Sequence, residues 1–349
     1  MEAPVSENTK IEWASNSWSP WRGCTKVSAG CAHCYAETLS KRNPAVLGQW
    51  GKGKPRVLAK NWIDPVKWNR IAGWGTCACC KSTRDASSTG NCKRCGEFDR
   101  TFTSPRVFPS LCDWLDDEVP IEWLARFLKL IHDTPNLDWL LLTKRPNNFK
   151  HRVTGAAASG YQPQISAWLN QWAFNVDVPA NIWIGTSVED QNNDWRIDEL
   201  LKIPARLRFL SVEPMLGPVI IERHLGVEKC GECNGSGMIS MDDQCDACDG
   251  TGKYQGEDAC RGIDWVIFGG ESGPGARPCN AEWIRELIRQ CASAKVPCFV
   301  KQLGAVAYGA KDGAYNDYEW AGLIKHPKGG DPSEWPEDLR VRQFPEVKP

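Results

Sequence analysis

The feature that most limits the fold of this chain is a pattern that repeats along it: a short apolar run, a polar cluster and then a helical segment. The runs predict strands, at residues 11–22, 106–112, 137–142, 181–185, 207–210, 263–268 and 297–300. Strands that alternate with helices indicate βαβ units and therefore a parallel sheet. Apolar runs of this length fit strands that are buried on both faces. We therefore predict an α/β fold, a full or partial (β/α) barrel of parallel strands.

The segments between these strands contain four helical patterns, at residues 35–43, 121–132, 193–202 and 282–294. Residues 44–75 are rich in Gly, Lys, Trp and Pro, so we predict that this stretch is mostly irregular. Residues 310–349 are rich in Gly, Pro, Asp and Lys and are predicted to form a C-terminal extension on the surface. The barrel is thereby assigned to residues 10–309.

Charged residues stand at the ends of most of the predicted strands. In (β/α) barrels the catalytic residues occupy the C-terminal ends of the strands. The candidate catalytic residues are therefore Lys144, Arg145, Glu189, Glu213, Glu271 and Lys301. The alternative for each residue is a salt bridge that closes the top of the barrel. Because loops are polar in most proteins, one polar cluster after a strand needs no function. The polarity of loops explains six such clusters in succession less well.

Three cysteines, Cys24, Cys31 and Cys34, lie in the segment of residues 22–37 with the spacing C-x6-C-x2-C. No fourth cysteine is near, and the next along the chain is Cys77. A closed structural zinc site needs four protein ligands, so three thiolates indicate an open metal position. Three thiolates also hold a four-iron, four-sulfur cluster with one iron left open. The alternative is a zinc site completed by His33 or by a distant residue.

Two further segments carry paired C-x2-C motifs with an eleven-residue linker between the pairs. The first, residues 76–97, contains Cys77, Cys80, Cys92 and Cys95, and the second, residues 228–256, contains Cys230, Cys233, Cys245 and Cys248. Two C-x2-C pairs form one tetrahedral four-cysteine zinc site, so we predict two structural zinc ions. The repeated C-x2-C-x-G-x-G of the second insertion resembles half of the cysteine-rich zinc domain of J-domain co-chaperones. Cys79 is an extra thiol, either free or a competing ligand.

The cysteines outside these three groups are predicted from their surroundings. Cys112, Cys291 and Cys298 lie in apolar contexts and are predicted to be core thiols. Cys279 follows a Gly- and Pro-rich segment near a strand end and could be exposed.

The overall composition limits the location and the partners of the protein. The chain has 349 residues and a net charge of -1, so no global basic field attracts nucleic acid. No stretch approaches the length of a membrane helix, and the N-terminus lacks the basic and apolar regions of a secretory signal. The clustered spacing of the 17 cysteines favours metal sites in a reducing compartment over disulfides. We expect a cytoplasmic protein with no membrane contact.

A local basic bias supports a second class of function. Zinc ribbons commonly bind nucleic acid, and the region around the first insertion carries eight basic residues: Lys52, Lys54, Arg56, Lys60, Lys81, Arg84, Lys93 and Arg94. Phosphate contacts from such residues would make binding depend on salt. The alternative to an enzyme is therefore a non-enzymatic, zinc-containing nucleic-acid-binding protein.

The segment of residues 22–37 resembles the cluster loop of the radical S-adenosylmethionine (SAM) enzymes. Their common form is C-x3-C-x2-C with an aromatic residue beside the last cysteine; here the first spacer is longer, and Tyr35 follows Cys34. The Gly269-Gly270-Glu271-Ser272 segment resembles a short motif that those enzymes place near the SAM amino group, although there it lies earlier in the barrel.

The whole series of strand-end motifs resembles a phage-associated protein family of unassigned function, found in bacteriophage and bacterial genomes and similar to radical SAM proteins. The motifs are Ile-Glu-Trp at 11–13, the cysteine segment, Leu-Thr-Lys-Arg-Pro at 142–146, Trp-Ile-Gly-Thr-Ser-Val-Glu at 183–189, Phe-Leu-Ser-Val-Glu-Pro-Met-Leu-Gly at 209–217, Gly-Gly-Glu-Ser-Gly-Pro-Gly-Ala-Arg-Pro at 269–278 and Phe-Val-Lys-Gln-Leu-Gly at 299–304. The two zinc insertions are additions to this core.

The resemblance implies an enzyme in which Cys24, Cys31 and Cys34 bind a 4Fe-4S cluster and SAM binds the open iron. Reductive cleavage of SAM would give a 5′-deoxyadenosyl radical that abstracts hydrogen from an unknown substrate, with a nucleic acid or nucleotide as one candidate. The resemblance further implies an electron donor such as flavodoxin or ferredoxin. Tyr35, Gly269, Gly270 and Glu271 are the additional candidate cofactor-binding residues. Lys144, Arg145 and Lys301 are candidates for binding the SAM carboxylate or an anionic substrate.

Overall fold

The computed structural model describes residues 6–7, 9–70, 74–76, 83–85, 104–225, 262–309, 318–319 and 324–346. The chain divides into two compact units. The first unit comprises residues 1–186 and 203–206, and the second comprises residues 187–202 and 207–349.

The first unit is built on a ladder of parallel strands. Its described strands are β1 (Ser6–Glu7), β2 (Asn16–Ser17), β3 (Trp21–Arg22), β4 (Val57–Leu58), β5 (Trp74–Thr76), β6 (Thr83–Asp85), β7 (Arg106–Phe108), β8 (Asp138–Thr143) and β9 (Ile182–Ser187). Strands β2, β7, β8 and β9 pair in that order, all parallel, and β1 joins β2 antiparallel. Strands β3 and β4 form a separate antiparallel pair, as do β5 and β6. The apolar centre of β8 is fully buried, as expected of a strand covered on both faces.

The first unit also contains six described helices, and the longest of them contacts this ladder through the rings of Phe127 and Trp139. The helices are α1 (Tyr35–Ser40), α2 (Pro44–Leu47), α3 (Ile63–Arg70), α4 (Ile121–His132), α5 (Phe149–Ala158) and α6 (Ser166–Ala173). Helix α4 shows the helical period most clearly, because its buried residues are Leu124, Ala125, Phe127, Leu128, Leu130 and Ile131. In α6, the buried Trp172 stacks on Trp114 with their ring planes 7° apart.

The second unit contains three parallel strands and a smaller sheet. Its elements are α7 (Trp195–Leu201), β10 (Leu207–Val212), β11 (Trp265–Gly269), β12 (Cys279–Asn280), α8 (Ala281–Ala294), β13 (Cys298–Gln302), β14 (Ala307–Gly309) and β15 (Tyr318–Glu319). Strand β11 pairs in parallel with both β10 and β13. Helix α8 begins at a capping side chain, since Asn280 Oδ1 accepts the backbone N–H of Glu282 at 2.9 Å, and it ends at Lys295 in the left-handed region.

These elements confirm the predicted α/β class and its parallel strands. Each of the seven predicted strand regions contains an observed strand, although β2 and β7 are shorter than the apolar runs that predicted them. Among the described residues seven strands have parallel partners, four in the first unit and three in the second. Seven is one fewer than the eight strands of a closed barrel, so these residues support the partial-barrel alternative. The predicted helices at 35–43, 121–132, 193–202 and 282–294 are all present.

The prediction that residues 44–75 are mostly irregular is wrong, because α2, α3 and β4 lie within this stretch. Helix α3 forms because the side chain of Asn61 accepts the backbone N–H of Ile63 at 2.9 Å. Pro65 lies in the first turn, where a missing N–H costs no helical hydrogen bond. Trp68 and Pro65 are buried. Their burial stabilises the helix through tertiary contacts that the local sequence does not indicate.

The C-terminal segment is more than a surface extension where it is described. The backbone N–H of Val300 donates to Val341 O, and Gln343 N donates to Cys298 O, so this segment pairs with β13. Trp335 and Leu339 are fully buried. The segment therefore covers a strand edge of the second unit, which the polar composition of residues 310–349 did not indicate.

None of the helices in the described part of the chain combines the length and the apolar content that a membrane span requires.

Asp138, the first residue of β8, gives a pH-dependent test of the packing of this ladder. It lies opposite Arg106 of β7, and burial raises the pKa of its carboxyl group to about 7 although Arg106 opposes the rise. A raised folded pKa means that stability is fully present below the unfolded pKa and is lost as the pH rises towards 7. Asp138→Asn does not titrate, so we expect its free energy of unfolding relative to wild type to increase by on the order of 2–4 kcal/mol between about pH 4 and pH 8.

Urea unfolding at the two pH values measures this difference. Asp177→Asn removes an exposed carboxyl group from the same unit and is the matched control. If the free energy of unfolding of Asp138→Asn changes with pH as that of wild type does, the carboxyl group of Asp138 is not desolvated as described.

Candidate functional site

The cysteine loop, residues 22–37, begins at β3 and ends in α1. Cys24 forms an isolated bridge with Trp50, and Gly51 N donates to Cys24 O at 2.9 Å. Glycine is required at position 48, because a Cβ atom there would lie 2.3 Å from Arg22 O. The start of the loop is therefore fixed by close backbone packing against residues 48–51.

The spacer between the first two cysteines is folded back onto the end of the loop. Lys26 Nζ lies 2.7 Å from Glu37 Oε2, in α1, and it also donates to Ala32 O. A short 3₁₀ turn, Ala29–Cys31, leads to the second cysteine. The six-residue spacer is thus an ordered turn that a salt bridge ties to the helix after Cys34.

Arg145 fastens the first cysteine to the C-terminal end of β8. Its Nη1 donates to Cys24 Sγ at 3.7 Å and to Asp113 Oδ2 at 2.9 Å, while its Nη2 donates to Thr25 O at 2.7 Å. Only 6% of the residue is exposed. Asp113, which follows β7, also accepts from Thr143 Oγ1 at 2.6 Å. Arg145 was predicted to bind an anionic ligand, but its described donors point into the protein.

A second buried arginine holds the residue after Cys24. Arg56 Nη2 donates to Thr25 Oγ1 at 2.8 Å, and Arg56 Nε donates to Asp116 Oδ2 at 2.9 Å. The hydroxyl group of Thr25 in turn donates to Glu118 Oε1. Arg56 was predicted to belong to a basic nucleic-acid-binding face, but only 8% of it is exposed and its charge is balanced internally.

The three thiols differ in their electrostatic surroundings. Burial raises the pKa of Cys24 to about 12; Asp113 and Asp116 add to the rise and Arg145 opposes it. Burial also raises the pKa of Cys34, and the neighbouring Cys31 contributes to the rise. Cys31 and Cys34 therefore interact with each other, whereas Cys24 interacts with Arg145. Within the described ranges, no group of three or more His, Cys, Asp or Glu side chains is arranged to hold a metal ion.

Two other predicted residues lie near the end of this loop. Tyr35 is exposed, and its hydroxyl group donates to Ser110 O. Lys144 is close enough to Cys34 for its charge to favour the thiolate. The backbone N–H of Lys144 donates to Asp113 Oδ2 at 2.9 Å, so its side chain extends from the strand end that Arg145 occupies.

The three predicted glutamates belong to the second unit, and each of them forms an ion pair there. Glu189 Oε2 lies 3.0 Å from Arg196 Nη1, and Glu189 is fully buried. Glu271 accepts two hydrogen bonds from the guanidinium group of Arg277, at 2.6 and 2.9 Å, and it is also buried.

Glu213 and Lys301 are two of the predicted residues, and the structure brings them together. Glu213 Oε1 lies 3.0 Å from Lys301 Nζ, and both side chains are partly exposed, by 12% and 29%. The salt-bridge alternative therefore describes all three glutamates, but the Glu213–Lys301 pair is the one among them that a ligand reaches most easily.

Gly269 and Gly270 have a packing role at the end of β11. A Cβ atom on Gly269 would lie 2.6 Å from Gln302 O, and one on Gly270 would lie 2.3 Å from Leu303 O. Gly270 N donates to Gln302 O, and Gln302 Nε2 donates to Gly270 O. The two glycines allow β11 to approach the end of β13, which explains them without a cofactor.

The remaining cysteines divide as follows. Cys291 and Cys298 are buried, as predicted, while Cys112 is partly exposed. Cys279 is buried in β12, so the expectation of an exposed thiol is wrong. All eight predicted zinc ligands lie outside the described residues, at 77–95 and 230–248, and the zinc prediction stays a prediction.

The structure also identifies residues that the sequence pattern did not single out. Asp113 and Asp116 are buried acceptors for Arg145 and Arg56. Asp113 follows β7 as the other candidates follow their strands, so its position was a signal that could have identified it. Asp116 has no such signal.

The Arg145 network predicts a large loss of stability when its cation is removed. Arg145→Gln leaves the buried carboxylate of Asp113 without its guanidinium partner, so we expect the free energy of unfolding to fall by about 3–5 kcal/mol. The double variant with Asp113→Asn removes both charges and should recover part of this loss.

Urea unfolding measures both variants, with Lys129→Gln as the control. Lys129 forms a surface ion pair with Asp133, and its removal should cost less than about 1 kcal/mol. A loss for Arg145→Gln no larger than that for Lys129→Gln would show that the network does not fasten the loop.

Comparison with known proteins gives one finding. The model of a family described as a protein of unknown function, DUF5131, matches residues 8–325. Neither a curated protein nor a solved structure gives a significant match to the chain.

Proposed function

The chain belongs to DUF5131, a family of unknown function, and we propose that it is a radical SAM-type iron–sulfur enzyme. Its activity would be the reductive cleavage of SAM to abstract hydrogen from a substrate. The substrate is unknown; a nucleic acid or nucleotide is one candidate class, in keeping with the resemblance of the strand-end motifs to a phage-associated family. Flavodoxin or ferredoxin would supply the electron.

The observation that carries the proposal is the attachment of the cysteine loop to the C-terminal end of β8. Arg145 follows that strand and donates both to Cys24 Sγ and to Thr25 O. The C-terminal ends of parallel strands are where α/β folds of this kind hold their reactive groups. The position of Cys24 and Thr25 at such an end supports the proposal of a reactive centre in the loop.

The donor set of the loop fits an iron–sulfur cluster by its chemistry. Cys24, Cys31 and Cys34 offer three sulfur ligands, and cysteine is the usual ligand of such clusters. When bound, the cluster would supply the electron that cleaves SAM to methionine and a 5′-deoxyadenosyl radical. The thiols do not form a group arranged to hold a metal ion. Binding would therefore bring the Cys31–Cys34 end of the loop and Cys24 together.

The other residues of the chain would then bind and orient. The hydrogen bond from Arg145 would position Cys24 as a ligand and place a donor beside its sulfur. Lys144 would favour the thiolate of Cys34. In the second unit, the partly exposed Glu213 and Lys301 are the candidates for binding charged groups of a cofactor or substrate. Glu189 and Glu271 are buried in ion pairs, and their main role would be to stabilise the fold.

The second candidate function is a non-enzymatic zinc protein of phage origin that binds nucleic acid. The observation in its favour is that Lys52, Lys54 and Lys60 are exposed. Three of the eight basic residues therefore lie on the surface, where they can contact phosphate groups. Arg56 does not contribute, since it is buried. Metal content separates the two functions, because this alternative requires zinc without iron.

Anaerobic reconstitution with iron and sulfide tests the first function. We expect the protein to take up iron and sulfide, to absorb broadly in the visible range, and to convert SAM to 5′-deoxyadenosine with dithionite as reductant. Cys31→Ala should lose the iron, the colour and the cleavage. Cys279→Ala, which removes a buried thiol of the second unit, should retain all three.

Iron and sulfide analysis and chromatography of the nucleoside product are the measurements. A reconstituted wild-type protein that holds no iron overturns the radical SAM proposal and leaves the zinc protein. Iron without SAM cleavage would reduce the proposal to an iron–sulfur protein of another kind.

The zinc insertions are tested by metal content alone. We propose two structural zinc ions, one in each set of four cysteines, with metal binding supplying the folding energy of segments that contain few apolar residues. Cys233→Ser should therefore release about one zinc ion per chain. Cys260→Ser, which removes a thiol outside both sets, should release none. Equal zinc content in the two variants contradicts the assignment of the second insertion.

A further inference from the structure

Four arginines have a buried Nε atom without a hydrogen-bond partner in the described structure: Arg22, Arg106, Arg152 and Arg196. Three of them have other partners. Arg196 forms an ion pair with Glu189, Arg152 Nη2 donates to Val119 O at 2.7 Å, and Arg106 takes part in further interactions. Arg22 differs, because no hydrogen bond or ion pair joins its side chain to another group in the described part of the chain. The group that interacts with it electrostatically is the thiol of Cys112, which is not a counter-charge because its pKa is raised well above the ordinary value.

An isolated guanidinium group is costly in such surroundings. Only 8% of Arg22 is exposed, so most of its hydration is removed. A buried charge normally has a counter-charge or hydrogen bonds, since otherwise its desolvation is uncompensated. Among the described residues, Arg22 therefore has no charged or hydrogen-bonding partner of the kind that a buried arginine needs, although part of the residue still reaches solvent.

The backbone that carries Arg22 is held in place. Arg22 pairs with Val57 across β3 and β4, and Gly48 packs directly against the Arg22 carbonyl group. Gly23, with a φ angle of 104°, turns the chain from Arg22 to Cys24. The backbone of Arg22 is thus fixed at a strand end, two residues before the first cysteine of the loop. Its side chain is close enough to Cys112 to interact with it electrostatically, and Cys112 in turn interacts with Cys24.

We propose that Arg22 binds an oxyanion, a carboxylate or a phosphate group of the ligand that the cysteine loop serves. A guanidinium group matches both groups with two parallel charge-assisted hydrogen bonds, and it loses less hydration than an ammonium group does. This inference deepens the proposed function, because it names the residue that receives the anionic part of the cofactor or substrate. It also replaces Arg145 in that role, since the described donors of Arg145 bond within the protein.

The test measures the binding of three probes to the anaerobically reconstituted full chain by equilibrium dialysis. The probes are SAM, decarboxylated SAM and inorganic phosphate. Arg22→Gln should weaken the binding of an oxyanion-bearing probe by roughly ten- to a hundredfold. Arg22→Lys keeps the charge but loses the planar fork, so it should fall between Gln and wild type. Arg126→Gln removes an exposed arginine that lies over Trp62 and controls for the general loss of charge.

The pattern across the probes identifies the source of the oxyanion. Weaker binding of SAM with unchanged binding of decarboxylated SAM assigns Arg22 to the SAM carboxylate. Weaker binding of phosphate with unchanged binding of SAM assigns it to a substrate phosphate. Unchanged binding of all three probes to Arg22→Gln and Arg22→Lys overturns the proposal.

A stability measurement separates this role from a structural one. Removing an unpaired buried charge should leave the denaturant midpoint of the probe-free protein equal to or above that of wild type. A lower midpoint together with unchanged probe affinity makes Arg22 a structural residue and overturns the proposal. If Arg22→Gln does not fold, the comparison of Arg22→Lys with wild type decides.

The outcomes also separate this inference from the proposed function. If wild type does not cleave SAM but its phosphate binding depends on Arg22, the oxyanion site stands and the radical SAM function fails. If wild type cleaves SAM and no probe depends on Arg22, the function stands and the oxyanion site fails.

Discussion

The position of the cysteine loop depends on the buried ion pair between Arg145 and Asp113. Burying two charges costs several kcal/mol per ion, on the order of what their mutual attraction returns. The pair is favourable here because both partners make further hydrogen bonds: Arg145 also bonds Thr25 O and Cys24 Sγ, and Asp113 also accepts from Thr143 and from the backbone of Lys144. The ends of β7 and β8 and the start of the loop are therefore held by one network, and none of the three can shift alone.

The polar residues at the strand ends look alike in the sequence, but the structure divides them by exposure. Arg145 and Glu189 are buried and form ion pairs, so they stabilise the fold. Glu213 and Lys301 keep part of their surface and pair with each other, so a ligand with charges of its own could exchange for either partner. Burial thus decides which charged residues remain available to bind a ligand. The order of residue types along the chain does not show which residues are buried.

The sequence predicts what depends on local periodicity. The period of 3.6 residues in α4 and the apolar runs of β8 and β11 specify those elements, and they were found where expected. Helices α5 and α6 carry weaker signals, because their stability comes from contacts such as Trp172 on Trp114, which lies far away along the chain. The ion pair of Arg145 could not be identified from the sequence for the same reason: its carboxylate partner, Asp113, is 32 residues away. The glycines of β11 resembled a cofactor motif, but the close approach of β13 explains them.

The three thiols of the cysteine loop are held in different ways. Its first thiol is anchored by Arg145, while the other two lie beyond an ordered turn that Lys26 ties to α1. A free cysteine in such a place would be expected to bury its sulfur among apolar groups, yet Cys24 has a cationic N–H donor directed at it. Donors of this kind stabilise thiolate sulfur and set the potential of the metal centres that thiolates hold. At Cys24 this donor opposes the rise in pKa that burial, Asp113 and Asp116 cause. It is the contact on which the proposed ligand role of Cys24 rests.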